Sequence, residues 1–536
     1  MSFKGIMLAA SLLGATLTAQ AQVETDSLGD LSSWGQRFLA SDEPEFPNDL
    51  WRNSNDETLL ALLRSIQVEA LGPAERRLLR RIVLSPATRP RGERANEVLA
   101  ERARLMLALG EARAAAAVAP ELGEDSRGLD PETFAIDLDL ASGQEATACA
   151  ALNGATGEAD YWYKLRAVCA VLQDNFSGAE LAIEIAEAQG VEDEWMIAAI
   201  FAAAGDVPEP PNARFDTGLN IALSAKADLD METITLAEGR PDLAAAAAQR
   251  PSIPSELRVQ FAETASEFDL ISVADRRQIL IERFNSEDSA AFSALEVALA
   301  DLRDPLVSDG QRHSQLAEVL RTAAGDGLST YRATAALFLP DFQRLIQSPV
   351  AADFAVDYAK AALIAGDRAT AMDWLGTFSF EGAGEPDPYA VAVVEAVDIL
   401  AGGDASPPSL IAIETRLIEA VDSTERELQV GAILTAWTGL GYPLSPLGRD
   451  FVAQLSDRGE RMAQGQVTGL RAAVLSGAVA EAGLMILVTT RGEAERLAPP
   501  ELSGIFAALV AMDADDLARE FAIESTQFWT ETSSAD

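Results

Sequence analysis

The only two thiols in the chain, Cys149 and Cys169, stand twenty residues apart. In an oxidising compartment such a pair is usually bonded. Closing that loop would stabilise the fold by roughly 3 kcal/mol in the chain-entropy model. Helix geometry raises a difficulty. Cys149 lies about a turn before a connection that follows Leu152, and Cys169 lies more than two turns beyond it. In straight antiparallel helices their heights would differ by several ångströms at about 1.5 Å per residue. A bond therefore needs residues 153–158 to be helical or folded back. The alternative is two separately buried thiols packing as small apolar groups. We expect the disulfide, as a structural staple, since a redox-active pair would more typically be C-x-x-C.

Charge chemistry concentrates in one other place. Arg76, Arg77, Arg80, Arg81, Arg89, Arg91, Arg94, Arg102 and Arg104 crowd a single segment of a chain whose formal charge is −43. Arg76, Arg77, Arg80 and Arg81 fall on adjoining helical faces, with Leu78, Leu79, Ile82 and Val83 between them. Arg76 through Arg94 are thus a candidate docking patch for an acidic partner or another part of the chain. Pairing with Glu75, Glu93, Glu97 and Glu101 is the simpler account, because surface arginines are mostly solvated or paired.

Catalytic constellations are sparse. His313 is the single histidine, so neither a His-based zinc site nor a serine triad with a G-x-S-x-G elbow can be assembled. It reads as an exposed or capping residue. No P-loop or G-x-G-x-x-G fingerprint occurs, and no cofactor or metal is expected. Paired carboxylates could serve a glycosidase, yet with 84 acidic residues no pair stands out. Asp513, Asp515 and Glu524 have a calcium-like spacing but lack the loop glycine and place Leu517 at a ligand position. They read as helix surface.

The elements that must carry these residues are helical. From Tyr161 to Gln173 the apolar residues Trp162, Leu165, Val168, Cys169 and Leu172 recur at three- and four-residue steps, which puts them on one stripe of a helix. Asp174-Asn175-Phe176-Ser177-Gly178 breaks the pattern. Ala179, Leu181, Ala182, Ile183, Ile185 and Ala186 begin a second helix, and Gly190 stands at its C-cap. So short a turn makes the pair antiparallel, with apolar faces that only neighbouring hairpins can cover. This unit resembles the tetratricopeptide repeat: Trp162 and Leu165 have that family's first-helix spacing, and Ala179, Ile183 and Ala186 its small-large-small pattern. The turn is one residue too long, and Cys169 replaces the usual aromatic. The resemblance implies an α-solenoid and covers this unit best.

Fragments of the same grammar recur at Ala108–Ala115, Ala141–Ala148, Ala237–Ala244, Ile364–Ala371 and, more loosely, Arg491–Ala498. In each, a glycine ends one helix. An acidic or polar residue near it favours the start of the next, and alanines allow close approach. We expect an all-α chain, an α-solenoid of antiparallel hairpins in two or three arcs. Length supports this: 536 residues exceed one compact core.

In chain order, residues 1–22 read as a signal peptide. Lys4 supplies the charged start, Gly5 to Thr18 the apolar stretch and Ala19-Gln20-Ala21 the cleavage pattern, with cleavage after Ala21. No later segment is long enough to span a bilayer, so a periplasmic protein is expected. Residues 23–50 read as a flexible acidic leader with one short helix, Leu31–Leu39. A capping box at Ser54-Asn55-Asp56-Glu57 opens the first confident helix. Helical regions follow at 51–207, 212–347 and 348–530, separated by Pro208, Pro210 and Pro211 and by Ser348-Pro349; residues 531–536 form a frayed tail. The acidic balance argues against nucleic acid and anionic membranes as partners. The expected function is a non-catalytic exported scaffold that binds another protein, of a secretion, motility or wall-assembly machine by analogy with repeat architecture. The rival expectations are a cell-wall hydrolase using paired carboxylates and a periplasmic carrier of a small apolar ligand. Low aromatic content, 6%, speaks against the carrier.

Overall fold

The structure, a computed structural model, describes residues 33–122, 131–153, 160–205, 209–231, 234, 239–286, 292–346, 350–379, 386–455 and 459–530. The expected signal peptide, residues 23–32 of the leader, Pro208, Ser348-Pro349 and the tail lie outside these residues. So do Ala237 and Glu238 of the third repeated fragment. Among the described residues the chain forms 26 α-helices and no β-strand.

A single joint recurs where helices end. Gly110, Gly143 and Gly366 take φ of +82°, +85° and +85°, a region open to glycine without a Cβ penalty. The following amide then donates to the carbonyl five residues back: Glu111 to Met106 at 2.8 Å, Gln144 to Asp139 at 2.7 Å and Asp367 to Ala362 at 2.9 Å. This is the Schellman closure, which satisfies carbonyls that the helix end would otherwise orphan. The glycines of the other two repeated fragments, Gly239 and Gly492, also have positive φ. Asp174 and Asp269 fill the same left-handed position without glycine, at φ 58° and 57°.

The next helix starts at once. Asp367 accepts from the Thr370 amide at 3.0 Å, and Asn175 from the Gly178 amide at 3.1 Å. Glu111 and Gln144 make no such cap, so the expectation that each copy has a start signal next to its glycine is met only in part. At the first helix, Asp56–Ser65, the cap is Asn55 rather than Ser54, its Oδ1 accepting from the Glu57 amide.

Chain neighbours pack on one another: Asp160–Leu172 on Phe176–Ala188, Pro241–Ala248 on Ser255–Glu267, Ala355–Ile364 on Arg368–Gly376, and Gln464–Leu475 on Val479–Thr490. Three apolar cores result. One holds residues from Ile136 to Leu229, and a second residues from Ala141 to Ile279. The largest joins Trp34 through Leu122 to residues from Leu280 through Trp529. The 51–207 region is therefore no single packing unit. Its first helices share a core with the C-terminal ones, and its remainder packs separately. In particular, Pro73–Leu84 packs on both Val479–Thr490 and Asp515–Ser525. A Cβ on Gly483 would meet Ile82 at 2.6 Å, so the absence of a side chain there sets how closely the two ends approach.

The leader expectation also needs correcting. Trp34, Leu39, Phe46 and Leu50 are buried, and residues 33–39 form turns and irregular backbone rather than a helix. Their main chain is tied down: Phe38 N donates to Leu84 O at 3.1 Å, and Ala87 N to Trp34 O at 2.7 Å. Burying two aromatic rings and two leucines outweighs the surrounding acidic composition.

Candidate functional site

The cysteines share one core with Trp162, Leu165, Ala179 and Ile183. Trp162, Leu165, Ala179, Ile183 and Ala186 are all buried. Leu181 and Ile185 of the same apolar series face outward, 57% and 45% exposed. Cys149 and Cys169 are bonded, with Cα atoms 5.7 Å apart. Helix Glu145–Ala150 continues as a tight 3-10 turn over Ala151–Asn153. Residues 154–158 of the connection expected to be helical or folded back lie outside the described residues.

The arginine segment lies where three parts of the chain meet. Helix Pro73–Leu84 begins with proline at its first position, and Glu75 reaches back to accept from the Gly72 amide at 2.8 Å. Arg76 donates to the Glu267 carbonyl at 2.5 Å and to Ser329 Oγ at 3.2 Å, its guanidinium 4.5 Å above the Phe268 ring. Arg77 pairs with Glu520. Arg80 pairs with Glu111 at 2.6 Å and Glu43 at 2.7 Å. Arg81 meets both carboxylate oxygens of Asp516, Nη1 to Oδ1 at 2.9 Å. These four are engaged within the chain, mostly with residues far away in sequence rather than with the adjacent glutamates expected. Arg94 does pair with Glu97, and Arg104 with Glu101. Arg89 and Arg91 are exposed. Arg102 is fully buried, donating to the Val83 and Ser85 carbonyls at 2.6 and 3.0 Å beneath Trp34 and Phe38.

Carboxylates gather beside this helix. Glu524 accepts from the Ala74 amide at 2.9 and 3.1 Å. Burial pushes its carboxyl up to about 8, against the attraction of Arg77 and Arg332. Burial likewise raises Glu75 to about 7, and it raises Glu520 despite Arg77. The carboxylates converge, but in a half-buried junction between chain segments. Asp515 and Glu524 lie on helix Asp515–Ser525, and no group of metal-ligating side chains occurs among the described residues.

His313 is buried, where an exposed or capping residue was expected. Its helix, Asp309–Asp326, turns it into a cluster with Phe354, Tyr358 and Trp374 at ring distances of 5.3, 5.6 and 6.2 Å. Tyr358 Oη donates to the His313 carbonyl at 3.1 Å and stands 3.1 Å from Nδ1. The hydroxyl proton is used on the carbonyl, so Nδ1 carries the hydrogen toward Oη. Burial lowers the imidazole pKa, and the ring is a neutral core element. A histidine ahead of an apolar run carries no signal of which helical face it occupies.

A cavity of about 710 Å³ lies in the C-terminal region. Helix Thr424–Gly439 forms one wall and residues 495–502 another. Leu428, Leu455, Leu497 and Leu502 line it with apolar groups, and Glu425, Glu427, Glu460 and Glu495 with carboxylates; among the described residues Arg496 is its one lining guanidinium. Nothing in the sequence singles these residues out, because they come from four separate segments. No helix of the described residues is long and apolar enough to cross a membrane. No family model, curated protein or solved structure matches the chain.

Proposed function

We propose that the chain is an exported, non-catalytic helical-repeat scaffold, a tetratricopeptide-like α-solenoid of antiparallel hairpins that binds another envelope protein. The carrying observation is the repeated joint: left-handed glycines at Gly110, Gly143 and Gly366 close one helix and launch the next. Such joints let a solenoid extend hairpin by hairpin. The Cys149–Cys169 bond is compatible with export. Charge then selects partners, since a chain at −43 attracts basic segments and repels nucleic acid.

The test is in-cell photo-crosslinking with the reactive side chain placed at Leu428 in the cavity and, as control, at Leu306, which is 91% exposed elsewhere. One envelope protein crosslinked from Leu428 and not from Leu306 is expected, on a mature chain beginning at Gln22. Release of soluble fragments from cell wall by the purified protein would instead sink the scaffold reading in favour of carboxylate catalysis.

A further inference from the structure

We propose that the outer face of helix Phe176–Ala188 is a docking site for a basic amphipathic helix of a partner protein. The proposal rests on the scaffold reading above and names the partner's chemistry at a face apart from the C-terminal cavity. Its first support is apolar. Leu181 and Ile185 stand one turn apart and are exposed, while Ala179, Ile183 and Ala186 on the opposite side are buried against the hairpin. Large side chains left bare in this way mark surface that another chain can cover.

Charge supplies the second support. Glu180-Leu181, Glu184-Ile185 and Glu187-Ala188 repeat as exposed doublets at four- and three-residue steps, so an acidic ridge runs beside the apolar one. Among the described residues these three glutamates have no ion pair or side-chain hydrogen bond. Sequence explains why: no Lys or Arg occurs between Arg166 and Arg214, a stretch that holds nine acidic residues. The cations at its margins are engaged elsewhere. Lys164 pairs with Asp193 at 2.7 Å and Lys226 with Asp174 at 2.6 Å, and Arg166 and Arg214 lie over the Tyr163 and Trp195 rings. Charge complementarity therefore calls for a cationic occupant, and it acts mainly on specificity and rate of encounter.

The form of the guest follows from the backbone. The middle of a helix offers no free main-chain donor or acceptor, so a segment covering the apolar ridge must satisfy its own amides, as a helix does. Leucines at three- and four-residue steps would meet Leu181 and Ile185, with Lys or Arg beside them over the glutamates. A second copy of this chain would bring the same acidic ridge and repel.

The experiment uses the mature full-length chain and fluorescein-labelled helical peptides of about 14 residues, the length of this helix, read by anisotropy at about 0.15 M salt. One peptide carries a Leu stripe flanked by Lys, a second replaces Lys with Glu, and a third keeps Lys and replaces Leu with Gln. The first should bind saturably, the third at least about tenfold more weakly and the second not measurably. Glu180→Lys/Glu184→Lys and Leu181→Gln/Ile185→Gln should each weaken the first peptide about tenfold or more, with unchanged melting. Glu318→Lys/Glu419→Lys makes the same charge change at exposed sites on other helices and should leave binding within about twofold. Equal weakening by that distant pair would reduce the effect to the overall field and overturn the site. Equal binding of the first and third peptides, or none by the wild type, would overturn it too, as would a dimer in sedimentation that Leu181→Gln/Ile185→Gln abolishes. A partner crosslinked from Leu428 while the peptides fail leaves the scaffold standing and removes only this assignment.

Discussion

The proton on Glu524 stays to about pH 8 because burial penalises its carboxylate more than Arg77 and Arg332 favour it. An unfolded glutamate has released its proton by then, having an ordinary value near 4.5. Between about 4.5 and 8 the folded chain holds a proton that the unfolded chain has lost. Stability therefore falls as pH rises through that window and is fully present below it. The urea midpoint of the wild type should drop from pH 5 to pH 8.5, and Glu524→Gln should make the drop shallower. An identical slope in the variant would show that the carboxyl titrates normally. At this scale the sequence was a poor guide. Glu524 reads as helix surface and His313 as a cap, whereas Glu524 is half-buried against the Ala74 amide and His313 is fully buried. Which face of a helix is covered depends on what arrives from elsewhere in the chain.

Elements were more legible. The helix Asp160–Leu172 and its turn follow from apolar spacing and from Asp174-Asn175, and the repeated glycines mark helix ends because only a backbone without Cβ enters the left-handed region cheaply. Gly366 and Gly504 make this quantitative. Gly366 has φ +85°, whereas Gly504 lies inside helix Pro499–Ala511 with open space where a Cβ would go. Gly366→Ala should cost about 1–2 kcal/mol, and Gly504→Ala should stabilise by about 0.5–1 kcal/mol. Thermal melting of the two variants should move in opposite directions; shifts of the same sign would refute the assignment of Gly366 as a helix terminator.

For the whole molecule the decisive contacts join the two ends of the chain. Arg77 and Arg81 reach Glu520 and Asp516 across more than 400 positions. Reversing both, Arg77→Glu/Arg81→Glu, sets like charges against each other at a half-buried junction and should cost about 2 kcal/mol or more. The radius of gyration from small-angle scattering should rise as the ends part. Adding Glu520→Arg/Asp516→Arg should restore both the midpoint and the compactness. Failure of the swap to rescue would mean that apolar packing around Ile82 and Gly483 holds the ends without help from the ion pairs.

Local pattern determined the helices and many of their terminators, because each depends on residues a few positions apart. The leader shows the limit: its acidic composition suggested freedom, while Trp34 and Phe46 found a core made by later helices. Tertiary structure alone decided that the arginines serve a junction, that His313 is interior and that four separate segments enclose the C-terminal cavity. Which distant faces meet depends on the path of the whole chain, and no short stretch encodes that path.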